Sequence, residues 1–119
     1  MQTHKDLRVW QEAIDFVTDI YKYTDSFPKN EMFGLMSQLR RAAVSVPSNI
    51  SEGSARKGTK EKIHFFYIAL ASNTEIETQL IISKNLKFIS FEVFDKLEKQ
   101  NHKIGKQLVK LIRYLEGKN

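Results

Sequence analysis

The 119-residue chain has no cysteine, which excludes disulfides, thiolate metal sites and sulfur redox chemistry. A reducing cytoplasm is the expected compartment. No stretch approaches the roughly 18 to 20 consecutive apolar residues of a membrane span. The start, Met1 to Asp6, leads straight into an amphipathic pattern without the apolar centre of a signal peptide, so an unexported protein with no membrane partner is expected. His4, His64 and His102 match no metal-ligand spacing, so neither a metal nor a cofactor is expected. Glu75 and Glu77, two apart on a helix, face different directions and make no acid–base pair. Ser45, Ser48 and Ser51 lack a nucleophile elbow, and Gly53 to Gly58 lacks the residue order of a phosphate loop. These absences weigh against an enzyme, and no catalytic residue is assigned.

What is present is helical periodicity. Leu7, Trp10, Ala13, Ile14, Val17, Ile20, Tyr21 and Thr24 recur at helical spacing, and Phe27-Pro28 closes that segment. A second apolar face runs through Met32, Leu35, Met36, Leu39, Ala42, Ala43, Val46 and Ile50 without resetting at Pro47. This predicts one helix kinked at the proline. Thr59 is read as the N-cap of a third helix, apolar nearly all round from Ile63 to Ala71, and Ser90 as the N-cap of a fourth. In the fourth helix Phe94, Leu97, Asn101, Ile104, Leu108, Leu111 and Leu115 form a heptad seam. Asn73 and Asn101 interrupt their stripes in phase, so both should face the interior and fix register at some cost in stability. On that reading, leucine at 101 would raise the melting temperature.

The expected fold is all-α: one domain over 1–119 whose helices, near 5–26, 29–53, 59–87 and 90–117, form an antiparallel up-down-up-down four-helix bundle. Phe33 and second seams on helix one (Val9, Phe16, Tyr23) and helix four (Gly105, Val109, Ile112) look surplus to a single core, so a homo-oligomer is expected. Phe65, Ile68, Val109 and Ile112 are its expected interface residues, with the paired Arg40 and Arg41 facing Glu52 across a subunit contact. Arginine's planar fork suits nucleic-acid backbone equally well, and spacing alone does not choose between these.

Phe27-Pro28, Glu31, Gly34-Leu35, Gln38, Arg40-Arg41-Ala42, Ser45, Asn49-Ile50 and Glu52-Gly53 form a recognisable run. It resembles the signature of the small four-helix bundle proteins encoded in intervening sequences of bacterial 23S ribosomal RNA genes, and the resemblance extends from Leu7-Arg8-Val9-Trp10 to the last helix. It implies ring-shaped homopentamers, no catalytic site and a preference for RNA over DNA. More distantly, the fold resembles accessory subunits of diversity-generating retroelements. These imply a basic pentameric barrel that engages nucleic acid and an acidic or reverse-transcriptase-type protein partner.

The net charge of +5 is unevenly placed: residues 1–31 carry −2, 32–62 carry +4, 63–89 balance, and 90–119 carry +3. Lys96, Lys99, Lys103, Lys106, Lys110 and Arg113 recur along helix four, with no acidic residue between Lys99 and Leu115. Such a stripe spans roughly 26 Å of helix, enough for several nucleotides of backbone, although a solvated face has the same pattern. Arg56, Lys57 and Lys60, in a glycine-flanked turn, suit reversible phosphate contact. The leading reading is a non-enzymatic oligomer that binds nucleic-acid backbone through Arg56, Lys57, Lys60, Lys99, Lys103, Lys106, Lys110 and Arg113. The alternative is a protein–protein interaction scaffold with no nucleic-acid partner.

Overall fold

The helical stripes resolve, in a computed structural model that describes residues 3–117, into α1 (Arg8–Thr24), α2 (Leu35–Ser54), α3 (Thr59–Asn85) and α4 (Phe91–Leu115). Short 3-10 turns at His4–Asp6 and Lys29–Glu31 precede α1 and α2, and there is no strand among the described residues. Helix α1 packs against α2 and α4, and α3 packs against the same two. Cross-helix bonds fix an antiparallel sense for each neighbouring pair. Trp10 Nε1 donates to Ser51 Oγ at 3.0 Å while Arg40 Nε donates to Thr24 Oγ1 at 2.9 Å, so α2 runs back along α1. Ser72 Oγ donates to Ser45 Oγ at 2.8 Å while Gly53 abuts Phe66, Asn73 meets Asn101 while Tyr67 meets Glu116, and Lys96 and Lys103 reach Asp19 and Glu12. The result is an up-down-up-down bundle measuring 43 × 24 × 21 Å.

Ala13, Phe16 and Ile20 fill the core from α1, Leu39, Ala43, Val46 and Ile50 from α2, Phe66, Ala69, Ile76 and Leu80 from α3, and Leu97, Ile104, Leu108 and Ile112 from α4. Two expectations are corrected by this list. Val9 and Phe16, read as a surplus seam, belong to the core stripe of α1, whereas Ile14 and Tyr21 lie on its outer flank. On α4 the buried stripe leaves the strict heptad: it steps from Leu108 to Ile112, which is 2% exposed, while Leu111 is only partly buried. A straight α-helix drifts by about 20° per heptad, and over the roughly five turns from Phe94 the drift accumulates until Ile112 rather than Leu111 lies on the inner line. Ile112 therefore packs inside its own bundle and is withdrawn from the subunit-contact set.

Helix ends follow local chemistry. Ser90 accepts from Val93 N at 3.1 Å, as expected of an N-cap. Thr59 is the first helical residue of α3 rather than its cap; extended Gly58 precedes it. The second helix starts later than expected, at Leu35, because Gly34 takes a non-helical backbone and the Glu31 carboxylate accepts from Leu35 N at 3.0 Å, satisfying an otherwise orphaned amide. Met32, expected inside, is exposed on that turn, and Phe33 is 92% exposed. Helix α2 passes through Pro47 unbroken, with Asn49 Nδ2 donating to Ser45 O at 2.8 Å and Ser51 Oγ to Pro47 O at 3.0 Å. Gly53 does not end that helix. A Cβ there would stand 2.7 Å from Phe66 Cε1, so the missing side chain is what lets α3 approach.

Asn73 and Asn101 are buried, at 7% and 4% exposure, and bond each other reciprocally. Asn73 Nδ2 donates to the Asn101 carbonyl at 2.7 Å and to its Oδ1 at 2.8 Å, while Asn101 Nδ2 donates to the Asn73 carbonyl at 2.9 Å. Gly105 makes room for this: a Cβ there would lie 2.5 Å from Asn73 Oδ1.

Candidate nucleic-acid interface

The antiparallel topology brings the start of α1, the α2–α3 turn and the end of α4 to one end of the bundle. Tyr67 near the start of α3 and Glu116 beyond α4 are within hydrogen-bond reach there, at 3.5 Å. With each helix divided at its midpoint, the described residues of this end carry ten cations and six anions, against eight of each at the other. The excess positive charge that sequence segments 32–62 and 90–119 display separately is thus gathered at one place by the fold.

The cations differ in what already holds them. Arg56 pairs with Glu52 at 3.0 Å and lies over the Phe65 ring. Lys62 Nζ donates to Ser54 O at 3.1 Å and caps the end of α2. Lys103 pairs with Glu12 at 3.1 Å, and Arg8 reaches the same carboxylate at 3.2 Å. Partial burial opposes ionisation of Glu12. Hydrogen bonds from Gln107 and Lys103, with the charge of Lys103 and a bond from Arg8, outweigh it and hold the carboxyl below its usual range. Lys99 pairs with Asp95 at 2.9 Å, and this carboxylate raises the lysine's pKa. The helix-four row is therefore not uniformly open, since α1 answers part of it with Glu12 and Asp19. Lys57, Lys60, Lys106, Lys110 and Arg113 are exposed and have no ion-pair partner among the described residues.

Between the start of α1 and the second half of α4 lies an open groove of about 600 Å³, lined by Leu7, Arg8, Val9, Lys103, Lys106, Gln107, Lys110, Leu111 and Tyr114. Arg8 and Tyr114 were not singled out in the sequence. Tyr114 stands four residues after Lys110 and eight after Lys106, so it shares their helical stripe, a spacing visible in the chain.

The expected subunit-contact residues divide. Arg40 is engaged within its own chain: Nε bonds Thr24 Oγ1, a terminal nitrogen donates to Tyr21 O at 3.2 Å, and the guanidinium lies 4.5 Å from the Tyr21 ring centroid. A cation among the last carbonyls of α1 suits the negative end of that helix. Arg41 is exposed, Glu52 faces Arg56, Phe65 and Ile68 are half-buried, and Val109 is exposed. Among the described residues, no three histidine, aspartate or glutamate side chains converge as a metal site would require, and no helix is long and apolar enough to cross a membrane.

A family model described as "23S rRNA-intervening sequence protein" matches residues 5–110. A crystal structure of a protein of unknown function from the S23 ribosomal protein family of Bacteroides thetaiotaomicron is similar in fold, with a TM-score of 0.82 and 23% identity; 88% of this chain and 98% of that one are covered. No curated protein matches. The match over nearly the whole bundle, including the arginine pair and the helix-four row as far as Lys110, places this chain in the 23S rRNA-intervening sequence protein family.

Proposed function

We propose that this protein is a non-enzymatic, cytoplasmic nucleic-acid-binding protein that holds phosphate backbone, RNA before DNA, through the basic end of its bundle, and that it acts as a ring-shaped homo-oligomer, a pentamer by its resemblance. One observation carries this reading: the fold concentrates its net charge at one end and leaves Lys57, Lys60, Lys106, Lys110 and Arg113 without carboxylate partners among the described residues. Lysine ammonium groups neutralise phosphate as point charges, so little sequence preference is expected. The exposed Phe33, Val109 and Tyr67, with the half-buried Phe65 and Ile68, favour self-association, because a monomer would leave them to water. A ring would repeat the basic end around its axis and raise the local potential. An acidic or reverse-transcriptase-type protein partner would meet the same charge.

The test is a salt-series titration against structured RNA, single-stranded RNA, duplex DNA and an acidic control protein. Log affinity for duplex should fall with log salt at about 0.9 per neutralised phosphate. Retention of the acidic protein alone would replace this reading with that of an interaction scaffold.

A further inference from the structure

Resting on that reading, we infer that the α1–α4 groove is a single-strand site in which one unpaired nucleobase stacks on Tyr114 while the flanking phosphates lie against Arg8, Lys106 and Lys110. Lys106, Lys110 and Tyr114 occur one helical turn apart, about 6 Å per step, so two cations and an aromatic ring form a continuous line along one wall. Arg8 faces them from the start of α1, and the floor between is apolar. The four cations of the lining outnumber the one carboxylate, Glu12, that pairs with two of them, so the groove stays positive.

This pairing of an apolar floor with a cationic rim selects the ligand. A duplex turns its phosphates outward and its base faces inward, so it would use the rim and leave the floor in water. A single strand presents flat base faces and phosphates together, which is what aromatic platforms in basic grooves accommodate. An acidic amphipathic helix matches the rim's charge but needs far more apolar surface than the groove offers. Val9 is buried, Leu7 and Leu111 are half-buried, and only Tyr114, at 66% exposure, is widely open, whereas a stable protein interface covers about 800 Å² per partner. One ring face is enough for one base.

The experiment is fluorescence anisotropy on the full chain with labelled oligonucleotides of about 16 residues. These are a single-stranded RNA, the single-stranded DNA of the same sequence, the RNA duplex and an acidic amphipathic peptide. Tyr114→Ala should weaken binding to both single strands about tenfold and leave duplex affinity nearly unmoved, and Tyr114→Phe should restore it, since stacking needs the ring and not the hydroxyl. Because Tyr114 is exposed, the helical circular dichroism of both variants should match the parent. If the parent prefers duplex, or Tyr114→Ala binds single strands as the parent does while Lys106→Gln/Lys110→Gln weakens every nucleic acid, the stacking site is refuted and backbone binding stands. If the parent binds no nucleic acid at low salt, both readings fall. Peptide binding that then depends on Tyr114 assigns the groove to a protein partner.

Discussion

The two ends of this bundle use similar residues for different purposes. At the end formed by the α1 C-terminus, the Lys29–Glu31 turn and the α3–α4 turn, several cations serve the protomer. Lys96 pairs with Asp19 at 2.8 Å, Lys84 lies over the Phe94 ring, and Arg40 closes α1 onto α2. Phe27 and Phe88 pack nearby in a tilted arrangement, 5.3 Å between ring centroids, which adds a further contact inside one chain. At the opposite end Arg56, Lys62 and Lys103 are held in the same way, and Lys57, Lys60, Lys106, Lys110 and Arg113 are exposed without an ion pair, as Lys29, Arg41 and Lys87 are at the first end; the difference is that eight carboxylates balance the cations of the first end and only six face the ten of this one. Along α4, Lys96 and Lys103 are held because the antiparallel α1 supplies a carboxylate at the same height, and Lys99 because Asp95 stands one turn before it. Helix α1 supplies Asp19 opposite Lys96 and Glu12 opposite Lys103 at the middle of α4, and none opposite Lys110 and Arg113.

The largest effect that could break this contrast is on binding. Lys106→Gln/Lys110→Gln/Arg113→Gln should lower affinity for duplex nucleic acid of every sequence, by up to roughly eightfold per lost contact at 0.1 M salt, and flatten the salt slope by up to about 0.9 for each. Its melting temperature should stay close to the parent's, since exposed residues without ion pairs contribute little to stability. Lys96→Gln/Lys99→Gln at the other end should leave both affinity and slope in place. Equal losses from the two variants would show that charge is read globally and that the ends do not differ.

Next in size are changes at the waist between the ends, where α3 and α4 are locked by the amide pair. The sequence alone suggests that leucine at 101 raises the melting temperature, because the asparagine breaks a heptad seam. The reciprocal pairing of the two amides reverses the sign. Removing the Asn101 side chain takes away the Oδ1 that accepts from the buried Asn73 Nδ2 and the Nδ2 that donates to the Asn73 carbonyl, which costs about 1–3 kcal/mol. Gly105→Ala should cost a similar amount, since its Cβ would press on Asn73 Oδ1 and overpacking a tight site is worth about 1–3 kcal/mol. Thermal unfolding followed by circular dichroism reads both. A rise in the melting temperature of Asn101→Leu would restore the simpler register account.

Much of the fold was legible because helix faces are written in the chain's own spacing: four helices, continuity through Pro47, the Ser90 cap and the inward turn of Asn73 and Asn101 all follow from local pattern. What failed required knowing the neighbours. Two apolar stripes on α1 were equally periodic, and only packing against α2 and α4 selects Val9 and Phe16 over Ile14 and Tyr21. Ile112 was misassigned because a seven-residue repeat was imposed on a helix with 3.6 residues per turn. For the site, the cations were readable one by one. Their gathering at one end needed the topology, and the loss of Lys103 from the open set needed Glu12 of α1 to be placed beside it, whereas Asp95, four residues before Lys99 on the same helix, was readable in the spacing and was overlooked.

The smallest expected effect sharpens the contrast most finely, because it compares two similar ion pairs at different heights. Burial opposes ionisation of Asp19 as it does of Glu12, but bonds from Lys96 and Gln100 and the charges of Lys96 and Lys22 prevail, so both carboxyls titrate below their usual range. A depressed folded pKa gives stability that is present above the unfolded value and lost as pH falls through the folded one, here below about pH 4. Glu12→Gln and Asp19→Asn should each cost up to about 1 kcal/mol at pH 7, solvent screening of the lysines keeping the figure small, and each should lose less stability than the parent on acidification. Binding should separate them. Glu12→Gln releases Lys103 and Arg8 into the basic groove, raising affinity for nucleic acid and steepening the salt slope by up to about 0.9 per freed cation that meets a duplex phosphate, whereas Asp19→Asn releases Lys96 outside the groove. If Asp19→Asn raises affinity as much as Glu12→Gln, position along α4 has no bearing on binding, and net charge alone governs it.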